Sequence, residues 1–434
     1  MKEWNKKNRV TIYLSVTCVL CVLYYLVCFL KDGEYILSIF VNDQHDTFMD
    51  YFNSLNNAKY DPYVDMNSNY PALACLIYKC LYTIIPTEMR EGNGFALRNL
   101  QMAMIPFILY NAITVWFVSL VIRTKSTVSD MNKNILVLLL LINAPFVFTI
   151  ERGNLILLSF ALTLFFALFY DSDNKYIKEL SFIALAIAAA IKIYPAIFGL
   201  LLVKRKKIKE ALRLALYGIF AFVVPFFYYD GIKSLQIMIG ALGYTSNLAD
   251  EIGYGINVSL FNICKTLGAI FNSNIADGAI SVLYVLVIGI LVISFFVLDS
   301  RWKENLCLVM LLVLLPKTNY YYVMIFLLIP FVEYLNDVNE TSGTLDIKKI
   351  IYGIIYLVIL VPWPLELIPM FSDKKYVVSY SMLLYYLALI WIVNALLSDA
   401  LQRIVKNEKV VKFMNAVIGV GSAGLTIATF GLAR

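Results

Sequence analysis

The sequence is poor in what soluble enzymes use. It has one histidine in 434 residues, and only 15% of its residues are charged, where a soluble domain has about a quarter. That histidine, His45, has no Cys, Asp or Glu partners at metal-ligand spacing, and the chain has neither a Gly-rich phosphate loop nor a nucleophile elbow. The sequence therefore points to no cofactor and to no metal-ligand cluster, with use of a divalent metal left open. The seven cysteines form no framework: Cys18 and Cys21 have CxxC spacing but lie in an apolar run where a thiolate is unstable, and the spacing of Cys75 and Cys80 requires no disulfide. A net charge of +6 suggests nucleic acid at first sight, but the basic residues sit in short clusters between apolar runs, such as Lys204-Arg205-Lys206-Lys207, and form no patch.

What is abundant is apolar sequence. Hydrophobic residues make up 61% of the chain and the mean hydropathy is +0.75. Runs of about 20 apolar residues recur, the length a helix needs to cross hydrocarbon. The reading is an all-α, polytopic transmembrane bundle of about 11 to 13 spans, forming a single integral membrane domain over residues 1–434. Lys2, Lys6, Lys7 and Arg9 precede an apolar run from Val10 to Leu30, too long for a signal-peptide core, so it reads as an uncleaved first helix with a cytoplasmic amino terminus. A long first extracytoplasmic loop over 31–100 follows, with an interfacial helix at 71–86, and a second outer loop is expected at 230–277. Two apolar stretches have cytoplasmic-type flanks at both ends and must turn back outside. Their breaks fall at Lys192-Ile193-Tyr194-Pro195 and at Pro316-Lys317-Thr318-Asn319-Tyr320, since proline removes a backbone donor and disfavours helix before it.

The polar residues on the outer side then stand out. They are Asp43, His45, Asp46, Asp50, Asp61 and Asp65 in the first loop; Glu151, Arg152 and Asn154 at the end of a span; and Lys192, Tyr194, Lys317, Asn319 and Tyr320 at the two breaks. Ionisable groups at membrane depth cost about 2.5 to 3.5 kcal/mol each and are functional candidates by default. Each has a plainer reading. The aspartates suit a solvated acidic loop, and Arg152 suits a pair with Glu151 or a reach to the headgroups. Lys192 follows a long apolar run and needs an anion. His45 reads as incidental.

Carboxylates and cations together, outside, at a lipid surface, suit group transfer from a lipid-linked sugar. The leaving phosphate needs fixed positive charge, for which Arg152, Lys192 and Lys317 are candidates, and the acceptor hydroxyl needs a carboxylate base. Asp46 and Asp50 are spaced to share one face if their segment is helical, and Tyr51 and Phe52 beside Asp50 are candidates to stack on a sugar ring.

Four segments carry a family resemblance. Asp46-Thr-Phe-Met-Asp50-Tyr-Phe52 with Asn69-Tyr70-Pro71-Ala72 resembles the first-loop signature of the GT-C superfamily, specifically glycosyltransferase family 87, the polyprenol-phosphate-mannose-type transferases. Glu151-Arg152-Gly153-Asn154 is similar to that family's R-G-N element, Lys192-Ile193-Tyr194-Pro195 to its K-x-Y-P stretch, and Pro316-Lys317-Thr318-Asn319-Tyr320-Tyr321 to a later proline-tyrosine element. The chain reads Tyr70-Pro71-Ala72 where the family has Y-P-P. The resemblance implies an inverting transfer of a hexose or pentose, mannose-like, from a polyprenyl-phosphate donor to an extracytoplasmic glycan or glycolipid of the cell envelope. It implies Asp50 or Asp46 as general base. Arg152, Lys192, Lys317, Glu151, Asn154, Tyr194, Tyr70 and Tyr320 complete the expected donor-phosphate and substrate-binding set. The rival readings are a polysaccharide polymerase or ligase, which tends to have a large arginine-rich late outer loop, and a transporter, which tends to show internal repeats with sites at midplane.

Overall fold

In hydrocarbon every backbone N–H and C=O must be satisfied within its own segment, so uncharged apolar runs fold as helices. The computed structural model describes residues 2–32, 46–247, 256–273, 275–363, 368, 378–405 and 408–432. Among these residues there is no strand; one isolated antiparallel bridge pairs Asn257 with Tyr320. The helices in chain order are α1 (Lys2–Leu30), α2 (Met49–Asn57), α3 (Ala72–Thr83), α4 (Gly94–Arg98), α5 (Gln101–Lys125), α6 (Asp130–Ile142), α7 (Ala144–Arg152), α8 (Ile156–Phe169), α9 (Lys175–Ile191) and α10 (Leu200–Lys204). They continue with α11 (Ile208–Val223), α12 (Ile232–Asn247), α13 (Leu260–Ile270), α14 (Asp277–Val297), α15 (Arg301–Leu314), α16 (Leu328–Glu340), α17 (Ile347–Leu360), α18 (Tyr380–Ile404) and α19 (Glu408–Leu432).

Among the described residues, seven helices are long and apolar enough to cross a membrane, or eight if the bent pair α6–α7 counts as one span. The chain is therefore a multi-pass helical membrane protein. The sequence count of about 11 to 13 takes each half of the broken stretches as a crossing, whereas α9, the first half of one, has 17 residues and the apolar segment after its break, Tyr194–Lys204, is shorter still. The α6–α7 bend of 47° centres on Asn143. Its amide group donates to the Leu139 and Leu140 carbonyls (3.0 and 2.8 Å), and its Oδ1 accepts from the Phe146 N–H at 3.0 Å. The side chain thus closes one helix and opens the next.

The chain separates into two compact units. One comprises Met1–Asn42, Ser126–Val147 and Ala249–Arg434; the other comprises Asp43–Lys125 and Phe148–Leu248. In the first, α1 packs on α6 and α16, α14 packs on α15 and α18, and α18 on α17 and α19. In the second, α8 packs between α5 and α9, α9 also packs on α11, and α2 lies against α3 and α4. The described part of the stretch expected as the first loop holds α2, α3 and α4 between non-helical turns, and α3, Ala72–Thr83, falls within the 71–86 segment. The described part of the expected outer loop 230–277 likewise holds α12 and α13.

Both expected breaks occur. α9 ends at Ile191, Lys192 is extended, and a 3-10 helix (Tyr194–Gly199) carrying Pro195 leads into α10. α15 ends at Leu314, and a 3-10 helix (Tyr321–Leu327) leads into α16.

Candidate active site

The site is built in the second unit on a small aromatic core. Tyr51 and Phe52 of α2 are fully buried and meet Phe107 of α5 at ring-centroid distances of 4.9 and 5.9 Å, with Phe48 at 5.0 Å from the same ring. Tyr78 of α3 meets Tyr51 edge-on at 5.8 Å. These rings hold α2 in place, so Tyr51 and Phe52 anchor the helix and do not face a sugar, against the sequence expectation. α2 begins only at Met49. Phe48 ahead of it adopts a left-handed conformation (φ 63°), uncommon for a bulky residue, and its N–H donates to the Glu151 carbonyl at 2.6 Å. Asp46 therefore precedes the helix, and the two aspartates do not share a helical face.

They are brought together instead by Arg152, which ends α7. One guanidinium nitrogen donates to Asp46 Oδ2 and the other to Asp50 Oδ1. This fork suits arginine, whose planar donors pair with carboxylates more strongly than neutral hydrogen bonds do. Asn154 Nδ2 donates to the other oxygen, Asp50 Oδ2, at 3.1 Å, and Asn154 Oδ1 accepts from the Ile156 N–H at 2.8 Å, capping α8. Arg152 thus pairs with neither of the partners the plainer reading offered. The Glu151 carboxyl accepts a hydrogen bond from Thr47, while its Oε2 is buried without a partner.

Gly153 makes the turn possible. Its φ is +73°, and a Cβ there would lie 3.1 Å from the Phe107 ring and 3.3 Å from Tyr51 Cβ. A left-handed conformation alone costs an alanine about 1–2 kcal/mol. Gly153→Ala is expected to lower stability by at least about that amount and to displace Arg152 and Asn154, so any activity of the centre should fall further than the folded fraction does. Thermal unfolding and activity, measured on the same preparation, check this.

Lys192 stands in the turn after α9, partly buried, with its ammonium 4.3 Å from the centre of the Tyr70 ring. Burial holds its pKa down to about 8, while the Asp50 charge pulls it up. Tyr194 lies within electrostatic reach of Tyr70. Asp46, Asp50, Arg152, Glu151, Asn154, Lys192, Tyr70 and Tyr194 are thereby gathered in one unit. Lys317 and Tyr320 belong to the other. There the Lys317 ammonium lies 4.6 Å from the Phe261 ring, its carbonyl accepts from Ser259 Oγ at 2.8 Å, and the Tyr320 ring meets Tyr322 at 5.8 Å. Neighbouring Asn319 caps α15 through the Leu312 and Val313 carbonyls. Asp61 and Asp65 serve their own turn, Asp61 Oδ1 accepting from the Tyr63 and Val64 N–H groups and Asp65 Oδ2 from the Asp61 N–H. Asp43 and His45 lie outside the described residues. Among the described residues no three His, Cys, Asp or Glu side chains are placed to hold a metal ion.

Two supporting residues escaped the sequence reading. Arg98 donates to the Thr47 carbonyl at 2.8 Å, and the Tyr110 hydroxyl donates to the Asn154 carbonyl (3.5 Å) while accepting from the Leu158 N–H (3.3 Å). The polar pair Tyr110-Asn111 inside a largely apolar span was the available signal for the second.

An acid–cation centre at helix ends is thus held within a multi-pass helical membrane protein. The sequence model of glycosyltransferase family 87 matches residues 94–316, just over half of the chain, and the protein belongs to that family. It is a membrane glycosyltransferase, working on a sugar donor and an acceptor among membrane lipids. No curated protein and no solved structure matches it. The matched segment holds Glu151, Arg152, Asn154, Lys192 and Tyr194 but begins after Asp46, Asp50 and Tyr70. Those three join it through the contacts just described.

Proposed function

We propose that the protein transfers a hexose or pentose, mannose-like, from a polyprenyl-phosphate carrier to an extracytoplasmic glycan or glycolipid of the cell envelope, with inversion at the anomeric carbon. Asp50 is the base and Lys192 the cation for the leaving phosphate. The observation that carries this reading is the position of Asp50: Arg152 and Asn154 fix it, and Lys192 lies within its electrostatic reach. A carboxylate has about four lone-pair sites, so those two hydrogen bonds orient Asp50 and still leave it able to accept a proton. The acceptor hydroxyl gives its proton to Asp50 as its oxygen bonds to the anomeric carbon. The bond from that carbon to the phosphate oxygen breaks, its electron pair stays on that oxygen, and polyprenyl phosphate departs against the Lys192 charge. Arg152, whose two ends are both on aspartates, acts here by holding the carboxylates, with Asp46 as its second anchor.

The lipid half of the donor has a matching feature. An apolar groove of about 700 Å3 runs between α9, α10 and α11, hollowed by Ala189, Ala196, Ala215 and Gly218, and Ile193, next to Lys192, is part of its wall. It suits a polyprenyl chain whose phosphate ends at Lys192. The basic clusters support a cytoplasmic amino terminus and an active site on the opposite face.

The test is sugar transfer by the purified full-length protein, offered polyprenyl-phosphate-linked sugars and nucleotide sugars in parallel. Release of polyprenyl phosphate with a glycosylated acceptor is expected. Transfer from the nucleotide sugars alone would refute the reading.

A further inference from the structure

Next to the Asp50 helix lies a second hollow, of about 430 Å3, within the range of small-ligand sites. Its walls come from the end of α2 and the turn before α3: Ser54, Asn57, Tyr60, Asn67 and Asn69, with Tyr229 opposite them in the lining. Among the described residues, none of its lining side chains is charged. Carboxamides and hydroxyls both donate and accept, and tyrosine rings offer flat apolar faces. That mixture matches a sugar, which shows hydroxyls around its rim and C–H groups on its faces. No lining side chain offers a counter-charge to an anionic group that gave up its hydration on entering.

Two lining residues tie the hollow to the chemistry. Tyr70 lines it and also carries Lys192 over its ring. Tyr78 lines it and lies within electrostatic reach of Asp50. Ser54 sits one helical turn beyond Asp50, on the same face of α2. The Tyr78 hydroxyl, on a residue only 3% exposed, lies beside the Ser54 hydroxyl, so the two lining residues nearest Asp50 form one polar edge of the hollow.

We infer that this hollow is the acceptor subsite and that it takes the terminal unit of an uncharged, hydroxyl-rich sugar. This rests on the proposed function, in which Lys192 and the apolar groove hold the donor, so the acceptor enters from the Tyr70–Tyr78 wall and presents its hydroxyl to Asp50.

The test uses the full-length protein in lipid nanodiscs free of sugar detergents. Saturation-transfer NMR titrations are run with methyl mannoside and methyl glucoside as neutral probes, and with a methyl glucuronide and a methyl galacturonide as charged ones. Saturation of the neutral ring protons is expected, with much weaker signals from the charged probes. Asn57→Ala and Tyr60→Ala should each weaken neutral binding about two- to tenfold, the worth of one hydrogen bond or stacking contact. In the transfer assay both variants should raise the acceptor KM and leave the donor KM unchanged. Tyr60 is exposed, so its variant keeps the fold even if the other does not. No saturation of the neutral probes, equal binding of charged ones, or wild-type affinity in both variants would overturn the inference. If the neutral probes bind and the variants weaken them while Asp50→Asn transfers normally, the proposed mechanism falls and the sugar site stands.

Discussion

Asp50→Asn is expected to cut sugar transfer by about a hundred- to ten-thousandfold, the usual loss when a general base is removed. Asparagine keeps the shape of the side chain and can still accept from Arg152 or Asn154, so α2 stays on its aromatic anchor and the protein level should match wild type. Donor affinity should change little, because Lys192 and the apolar groove are untouched. Asp46→Asn should lose less. It removes one of two anchors from Arg152 and leaves Asp50 held by Asn154. The measurement is transfer from a polyprenyl-phosphate donor at matched protein levels, with donor binding assayed separately. Near-normal turnover in Asp50→Asn rules out the carboxylate as base, and a larger loss in Asp46→Asn would exchange the two roles.

Lys192→Met is expected to lower turnover by about a hundred- to a thousandfold, in the range seen when a fixed group opposing a developing negative charge is removed. Methionine fills the space of the lysine stem over Tyr70, so the loss belongs to the charge. The wild-type protein supplies a second reading of the same group. With its pKa near 8, the ammonium is charged below that pH and loses its charge as pH rises through it. Donor use, measured as kcat/KM, should therefore decline above about pH 8. Lys192→Arg should remove that decline, since arginine stays charged throughout, even if its wider head lowers activity overall. A wild-type profile flat to pH 9 or above, together with normal turnover in Lys192→Met, would make Lys192 a packing residue.

Local chemistry explains why some of the site was legible. Pro195 and Pro316 mark their helix breaks because proline acts on its own neighbours, and Arg152-Gly153-Asn154 reads as a turn because glycine permits one. The partner of Arg152 was not legible in the same way. The nearest carboxylate in sequence is Glu151, whereas the ones it grips are 102 and 106 residues away. Nor could the register of the first loop be read. A spacing of four suggests one helical face, but Phe48 turns left-handed ahead of α2 and sets Asp46 outside it. Tyr51 and Phe52 look available to a substrate in a polar loop, and only the packing of Phe107 against them shows that they are spent on the core. Asn57, Tyr60 and Asn67 carry no motif, because a hollow lined by single polar residues leaves no periodic trace.

The distance along the chain between the aspartates and their arginine also sets an order of events during synthesis. At about 5–20 residues per second, Asp46 and Asp50 leave the ribosome roughly 5 to 20 s before Arg152. For that interval the aspartates lack the guanidinium that pairs them, although Arg98, which holds the Thr47 carbonyl between them, is made 51 residues after Thr47. The turn around Phe48, which also hangs on the Glu151 carbonyl, has nothing to close onto until α7 is made. The carboxylates are therefore paired only once the residue 151–154 turn has been made, and the centre is complete only when Lys192 follows.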